Sequence, residues 1–252
     1  MKYAIFASYG NDSIALVQWA HEKRLTDIVV AYSDTGWAAD GWAERVSKAE
    51  EWVADLGFRT ARIHSEGMAG LLRRKSAWPR GGGGRFQFCT ENLKEIPALA
   101  WLDEADPEKE ATCMIGVRRE ESQNRASHPE WVEESERHGG RNLWAPLVLH
   151  TEQMRDDLIR RTPFKVLPWK SKECWPCVNA NNKELRLLEP DRIAHIAALE
   201  QEMGINSKGN ARVMFSPRRH GGAVGIQAVV DHAQKNNDDL FSGGCDGGWC
   251  GT

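Results

Sequence analysis

Three polar clusters combine hydroxyls, a glycine and charged groups at spacings that suit oxyanion chemistry. The first is Ser8-Tyr9-Gly10-Asn11-Asp12-Ser13. A glycine lets the backbone approach a ligand closely, the N–H groups that follow attract an oxyanion, and Ser8 and Ser13 add hydroxyl hydrogen bonds. The same residues also suit an ordinary helix cap, where Asp or Ser is favoured. The second cluster is "SDTGW", Ser33 to Trp37, with Asp34, Thr35 and Gly36 at its centre. The third is "GVRREESQNRA", Gly116 to Ala126. Its Arg118, Arg119 and Arg125 offer guanidinium forks to phosphate or sulfate oxygens, or else form a solvated helix start laced with Arg/Glu pairs. Among six cysteines, Cys174 and Cys177 form a C-x-x-C and Cys245 and Cys250 a C-x4-C. Four such thiolates suit tetrahedral zinc or a [4Fe–4S] cluster.

These clusters follow apolar runs that read as strands. "YAIFA" is a predicted strand and "DSIALVQWAHEK" an amphipathic helix behind an Asp/Ser start. "DIVVAYSD" and "FRTARIH" are further strands, separated by the helix "WAERVSKAEEWVADLG", which stops at Gly57. A short helix near "GMAGLLRRK", a helix with a proline interruption in "ENLKEIPALAWLDEA" and the buried-strand pattern "ATCMIGV" follow. Strands alternating with helices predict a doubly wound, mostly parallel α/β sheet of Rossmann-like form, whose ligands lie beyond the carboxyl ends of the strands. All three clusters fall at such ends. From about residue 126 the pattern is irregular, with helices expected after "LWAPLVL", around Pro190 and over "GGAVGIQAVVDHAQ". We expect a nucleotide-binding domain over residues 1–165 and a cysteine-bearing helical or irregular region over 166–252.

At 252 residues with 41% hydrophobic and 27% charged residues, the chain is globular in composition. A net charge of −3 supplies no global basic footprint. No apolar run approaches a membrane span, and Met1-Lys2 leads straight into a strand, so a cytoplasmic protein without a membrane partner is expected. Cys113, inside "ATCMIGV", reads as a small core residue.

In order and spacing, "SYGNDS", "DTG" and "GVRREESQNRA" resemble the PP-loop superfamily, specifically the phosphoadenosine-phosphosulfate (PAPS) reductase family. The resemblance covers roughly residues 1–180. It implies an adenine nucleotide (ATP, or PAPS or APS) held by Ser8, Tyr9, Gly10, Asn11, Asp12 and Ser13, by Asp34, Thr35 and Gly36, and by Gly116, Arg118 and Arg125. Asp12, Arg118, Arg119 and Cys250 would serve the chemistry, with Mg²⁺ where ATP is cleaved. "CTENLKEIP" resembles a family segment that contributes a cluster thiolate, which implies a [4Fe–4S] site of Cys89, Cys174, Cys177 and Cys245, with zinc as the alternative metal.

Asp12-Ser13 keeps the end of the S-G-G-x-D-S pattern of ATP-cleaving members, and the tail lacks the Cys-Gly-Ile/Leu-His context of the reductases. Tyr9 replaces the middle glycine and Asn11 stands where many ATP-using relatives carry lysine. The resemblance therefore implies ATP-dependent adenylyl or sulfur transfer, with sulfonucleotide reduction as the alternative. A donor protein for sulfur or electrons, a nucleic-acid substrate and a homodimer are the candidate partners and assembly. The competing class is a non-catalytic PP-loop binding module with structural zinc. "RVMFSPRRHGG" gathers Arg212, Arg218, Arg219 and His220 near Phe215, as a phosphate contact or a solvated basic loop. "RGGGGR" at 80–85 suits a lid or a flexible link.

Overall fold

A computed structural model describes residues 1–81 and 86–236 of the chain. In order, the elements are β1 (Tyr3–Phe6), α1 (Asn11–Glu22), β2 (Ile28–Asp34), α2 (Trp42–Asp55), β3 (Arg59–His64), α3 (Gly67–Lys75) and α4 (Phe88–Thr90). A π-helical turn over Glu91–Glu95 leads into α5 (Ile96–Ala105), with β4 (Thr112–Met114), β5 (Trp131–Ser135) and β6 (Arg141–Trp144) beyond it. The last helices are α6 (Glu152–Ile159), α7 (Asn182–Leu185), α8 (Pro190–Met203) and α9 (Ile226–Lys235). The chain divides into two compact units that alternate along the sequence; among the described residues these are Met1–Ser65 with Thr90–Trp175, and Glu66–Cys89 with 176–236.

The first unit is an α/β sheet in the order β3-β2-β1-β4-β6-β5, parallel throughout except for β5. Period-2 alternation along β1 explains its two-sided burial. Ile5 and Ala7 join one core with Ile14, Val17, Val30, Trp52 and Leu158, whereas Ala4 and Phe6 join another with Ala98, Leu102, Cys113 and Leu143. The Cys113 thiol is fully buried and its pKa is pushed up to about 12, so it packs as a small apolar residue. The proline interruption resolves as the π-helical turn that runs straight into α5, with Pro97 at the second position of α5.

The antiparallel β5–β6 pair was not expected from the sequence. β5 reads "WVEES", an edge strand with no apolar alternation, and its structure comes from pairing with β6 rather than from a local pattern.

The second unit is helical: α9 packs against α7 and α8, and α3 meets α8. Asn181 and Glu184 form a capping box on α7. The Glu200 carboxylate accepts from the Met214 and Ile226 N–H groups at 2.9 and 2.8 Å, which ties the following loop to α8. No helix among the described residues is long and apolar enough to cross a membrane.

Candidate functional site

In the first unit, β2 and β3 extend the sheet to one side of β1, and β4 begins the other side. The switch point between β1 and β4 is where an open α/β sheet leaves a crevice. Two of the three polar clusters meet there. The "SYGNDS" turn starts α1, and Gly116–Arg118 follow β4. A Cβ on Gly116 would stand 2.9 Å from the Asp12 carbonyl oxygen, so only glycine lets the end of β4 lie against the first turn of α1.

Across this junction the Arg118 guanidinium donates to the Asp12 carboxylate, and each side chain is only 4% exposed. Burial pushes the Asp12 pKa up, while Arg118 foremost, then Arg155 and Arg125, pull it back. Arg118 also reaches Glu120 at 3.5 Å, and Glu120 accepts from the Glu152 N–H at the start of α6. Arg155, buried on α6, pairs with Glu152 and Asp156. Asn11, Asp12, Arg118, Arg155, Trp169 and Lys170 line a cavity of about 380 Å³, and Glu120, Glu121 and Glu152 line it too. Arg125 stands one layer behind, paired with Glu121. Arg119 is exposed, and its guanidinium donates to the His128 carbonyl at 3.0 Å rather than lining the cavity.

The "SYGNDS" turn is held from several directions. Ser8 Oγ accepts the Gly10 N–H at 3.2 Å, and Ser13 Oγ donates to the Gly10 carbonyl at 3.2 Å. The Asn11 amide clasps Leu167, donating to its carbonyl at 2.8 Å and accepting its N–H at 2.9 Å. Tyr9 adopts φ +57°, the left-handed conformation that favours glycine, while its ring stacks on Tyr32 with centroids 5.9 Å apart. Arg45 donates to the Tyr9 carbonyl at 2.7 Å.

Gly10 approaches the segment after Leu167 so closely that a Cβ would meet Ser171 Cβ at 2.8 Å. Its φ of −76° is open to any residue, so the constraint is steric alone. Gly10→Ala is expected to cost about 1–3 kcal/mol in urea unfolding, as overpacking does, and Ser171→Gly in the same chain to recover most of it. An unrescued loss would place the cost elsewhere than this contact.

The "DTG" turn is fixed by the same segment. Thr35 donates its hydroxyl hydrogen to the Glu173 carbonyl at 3.1 Å, and Ala39 and Trp175 pair through backbone bonds with Lys172 and Trp37. Asp34 accepts the Gly36 N–H at 2.9 Å, and Gly36 sits at φ +60°. Below the turn, Lys94 and Glu173 form an ion pair of 3.0 Å with each side chain 6% exposed.

Cys174 lies in the first unit, its thiol 3.7 Å from the Thr35 hydroxyl. Cys89 and Cys177 belong to the second, beside the Gln87 carbonyl and the Asn179 N–H. Cys245 and Cys250 lie outside the described residues. Among the described residues no three His, Cys, Asp or Glu side chains gather as a metal site. Of the four expected cluster ligands, Cys174 thus falls in one unit, Cys89 and Cys177 in the other, and Cys245 outside the described residues.

Arg155, Lys170 and the Lys94–Glu173 pair were not singled out from the sequence. Arg155 sits in "TEQMRDDL", which reads as a solvated helix with local ion pairs. Its signal was positional, because α6 follows the carboxyl end of β6, next to β4.

No family model matches the chain. It is similar to a protein of Escherichia phage 186 described as an uncharacterized 37.8 kDa protein in the gpa 5′ region, with 24% identity over 264 aligned residues covering 90% of this chain and 77% of that protein. Among solved structures it is similar to the phosphate complex of phosphoadenylyl-sulfate (PAPS) reductase from Candida auris, with 16% identity and a TM-score of 0.45 over 65% of this chain and 74% of that one.

Proposed function

We propose that the switch-point cavity of the first unit binds the phosphate or sulfate groups of an adenine nucleotide, and that the protein is an enzyme of sulfur metabolism acting on that nucleotide. The observation that carries this is the Asp12–Arg118 pair spanning the junction of β1 and β4 and lining one cavity with Arg155 and Lys170. The first-turn N–H groups of α1 lack intrahelical acceptors and carry the positive end of the helix dipole. Arg118 and Arg155, held rigid by their carboxylate partners, supply planar donors for oxyanion oxygens. The identity of the base rests on the resemblance carried by the three sequence clusters.

A sulfonucleotide suits the cavity better than ATP with its metal. Asp12, the carboxylate that an ATP-cleaving loop would use, is buried against Arg118, and Asn11 is engaged with Leu167. ATP-dependent adenylyl or sulfur transfer is the second reading, favoured by the Asp12-Ser13 sequence. An iron–sulfur cluster finds no assembled donor set among the described residues, and nucleotide binding at the switch point requires none.

Calorimetric titration of PAPS, APS and ATP into the full chain tests the proposal. Binding of a sulfonucleotide is expected, weakened about five-fold by Lys170→Ala, an exposed cation on the cavity wall, with the loss shrinking at high salt. Pyrophosphate release from ATP would establish the second reading. Binding of none of the three overturns both.

A further inference from the structure

The second unit holds a cavity of about 360 Å³ lined by Arg80, Gly81, Asn179, Phe215, Arg218 and His220, among others. Its wall carries Arg80, Arg218 and Arg219, and among the described lining residues there is no Asp or Glu. Three guanidinium groups, with no carboxylate among the described lining residues, favour an oxyanion in the cavity.

The cavity is built rather than incidental. Arg80 is anchored by a 3.2 Å bond from its guanidinium to the Val213 carbonyl, and Arg219 donates to the Gly81 carbonyl at 3.3 Å. Gly81 lies so close to its surroundings that a Cβ would meet Asn179 Oδ1 at 2.4 Å and the Val178 carbonyl at 2.6 Å. Pro217–Arg219 form a 3₁₀ turn, and Gly221 and Gly222 follow at φ +60° and +89°. That turn presents Arg218 and Arg219 beside His220.

His220 stands in the same wall. It lines the cavity, is 6% exposed, and its Nδ1 is buried with no hydrogen-bond partner. Its ring is held edge-on to Phe215, centroids 5.6 Å apart. The ring is thus enclosed in the cavity wall, where its resonances report on what enters. Arg212, from the same sequence run, instead donates to the Met203 carbonyl at 3.0 Å and takes no part.

We propose that this cavity is a second oxyanion site, separate from the switch-point cavity, which takes the phosphate or sulfate group of a small organic monoester. Its volume falls in the range of small-molecule sites, about 300–1,000 Å³, and Met214 and Phe215 offer apolar wall to the organic part. A nucleic-acid strand would ask for a groove with stacking aromatic faces, whereas Phe215 is buried in the wall.

The test uses the full chain, with inorganic phosphate and ribose 5-phosphate as probes. The His220 ring resonances, identified by their cross-relaxation with the Phe215 ring, are expected to shift saturably with either probe. Arg218→Ala, an exposed substitution outside the core, should weaken that binding about ten-fold. Lys170→Ala should leave it unchanged, so failure here and failure at the switch point are distinguishable. The proposal is overturned if His220 does not respond, if Arg218→Ala retains full affinity, or if an oligonucleotide shifts His220 while both small probes do not.

Discussion

Arg118→Ala is expected to lower the free energy of unfolding by about 3–5 kcal/mol near pH 8 and to abolish nucleotide binding at the switch point. The cost comes from what remains. Asp12 is almost wholly buried, its carboxyl already pushed above the ordinary aspartate value by desolvation and held down chiefly by Arg118. Without Arg118 the folded chain must either bury an uncompensated carboxylate or protonate it.

The sign of the pH dependence follows from that. A carboxyl whose pKa is higher folded than unfolded favours the native state when protonated, and that advantage is lost as pH rises through the folded value. Removing Arg118 raises the folded value further, so the deficit of the variant should widen from pH 5 to pH 8. Urea unfolding at the two pH values measures it. Asp12→Ala added to Arg118→Ala should restore part of the stability but none of the binding, because the guanidinium fork is still missing. A single variant as stable as the native chain at pH 8 would mean that the pair is not buried in solution.

The layers of the first unit were legible because their signals are local. The unbroken apolar run "YAIFA" marks a strand buried on both faces, Gly57 closes α2, and each polar cluster stands directly after an apolar run. The strand order of the sheet then makes the β1/β4 junction the meeting point of Ser8–Ser13 and Gly116–Arg118, which follow those two strands. What sequence cannot display is pairing between distant side chains. Asp12 and Arg118 each read as candidate ligand residues at a strand end, but only their shared crevice turns them into a buried pair.

Tyr9 shows how a departure in sequence can leave a backbone unchanged. It stands where the resembling loops carry glycine, yet its φ of +57° is the conformation that glycine would supply. Burial of the ring against Tyr32 offsets the left-handed backbone of a non-glycine residue. Asn11 differs in kind. Its amide fastens the turn to Leu167, a role that depends on a segment about 150 residues away and leaves no trace in the local pattern. The alternation of the two units along the sequence was hidden for a related reason. Glu66–Cys89 reads as one more helix and loop between strands, and only its packing assigns it to the second unit.

The Lys94–Glu173 pair of the first unit carries the second large effect. Lys94→Met is expected to cost about 3–5 kcal/mol near pH 8, because it leaves the Glu173 carboxylate enclosed without its cation. Burial already pushes the Glu173 pKa up, with Lys94 opposing it and Asp34 adding to it. Loss of Lys94 should therefore make the deficit grow with pH, as for Asp12. Unlike the Asp12–Arg118 pair, this one is absent from the lining of the switch-point cavity, so stability and binding should separate. Replacing both partners by apolar residues of similar size, Lys94→Met with Glu173→Leu, removes the buried charge altogether and should return stability to within about 1 kcal/mol of the native chain. The Glu173 carbonyl would still accept the Thr35 hydroxyl, so the "DTG" turn should keep its place in the double variant. Amide exchange at Trp175, whose N–H is bound to the Trp37 carbonyl, reports this directly: fast exchange in Lys94→Met and native protection in the double variant. If the double variant is as unstable as the single one, the ion pair itself positions the turn, and the backbone bonds to residues 172–175 do not suffice.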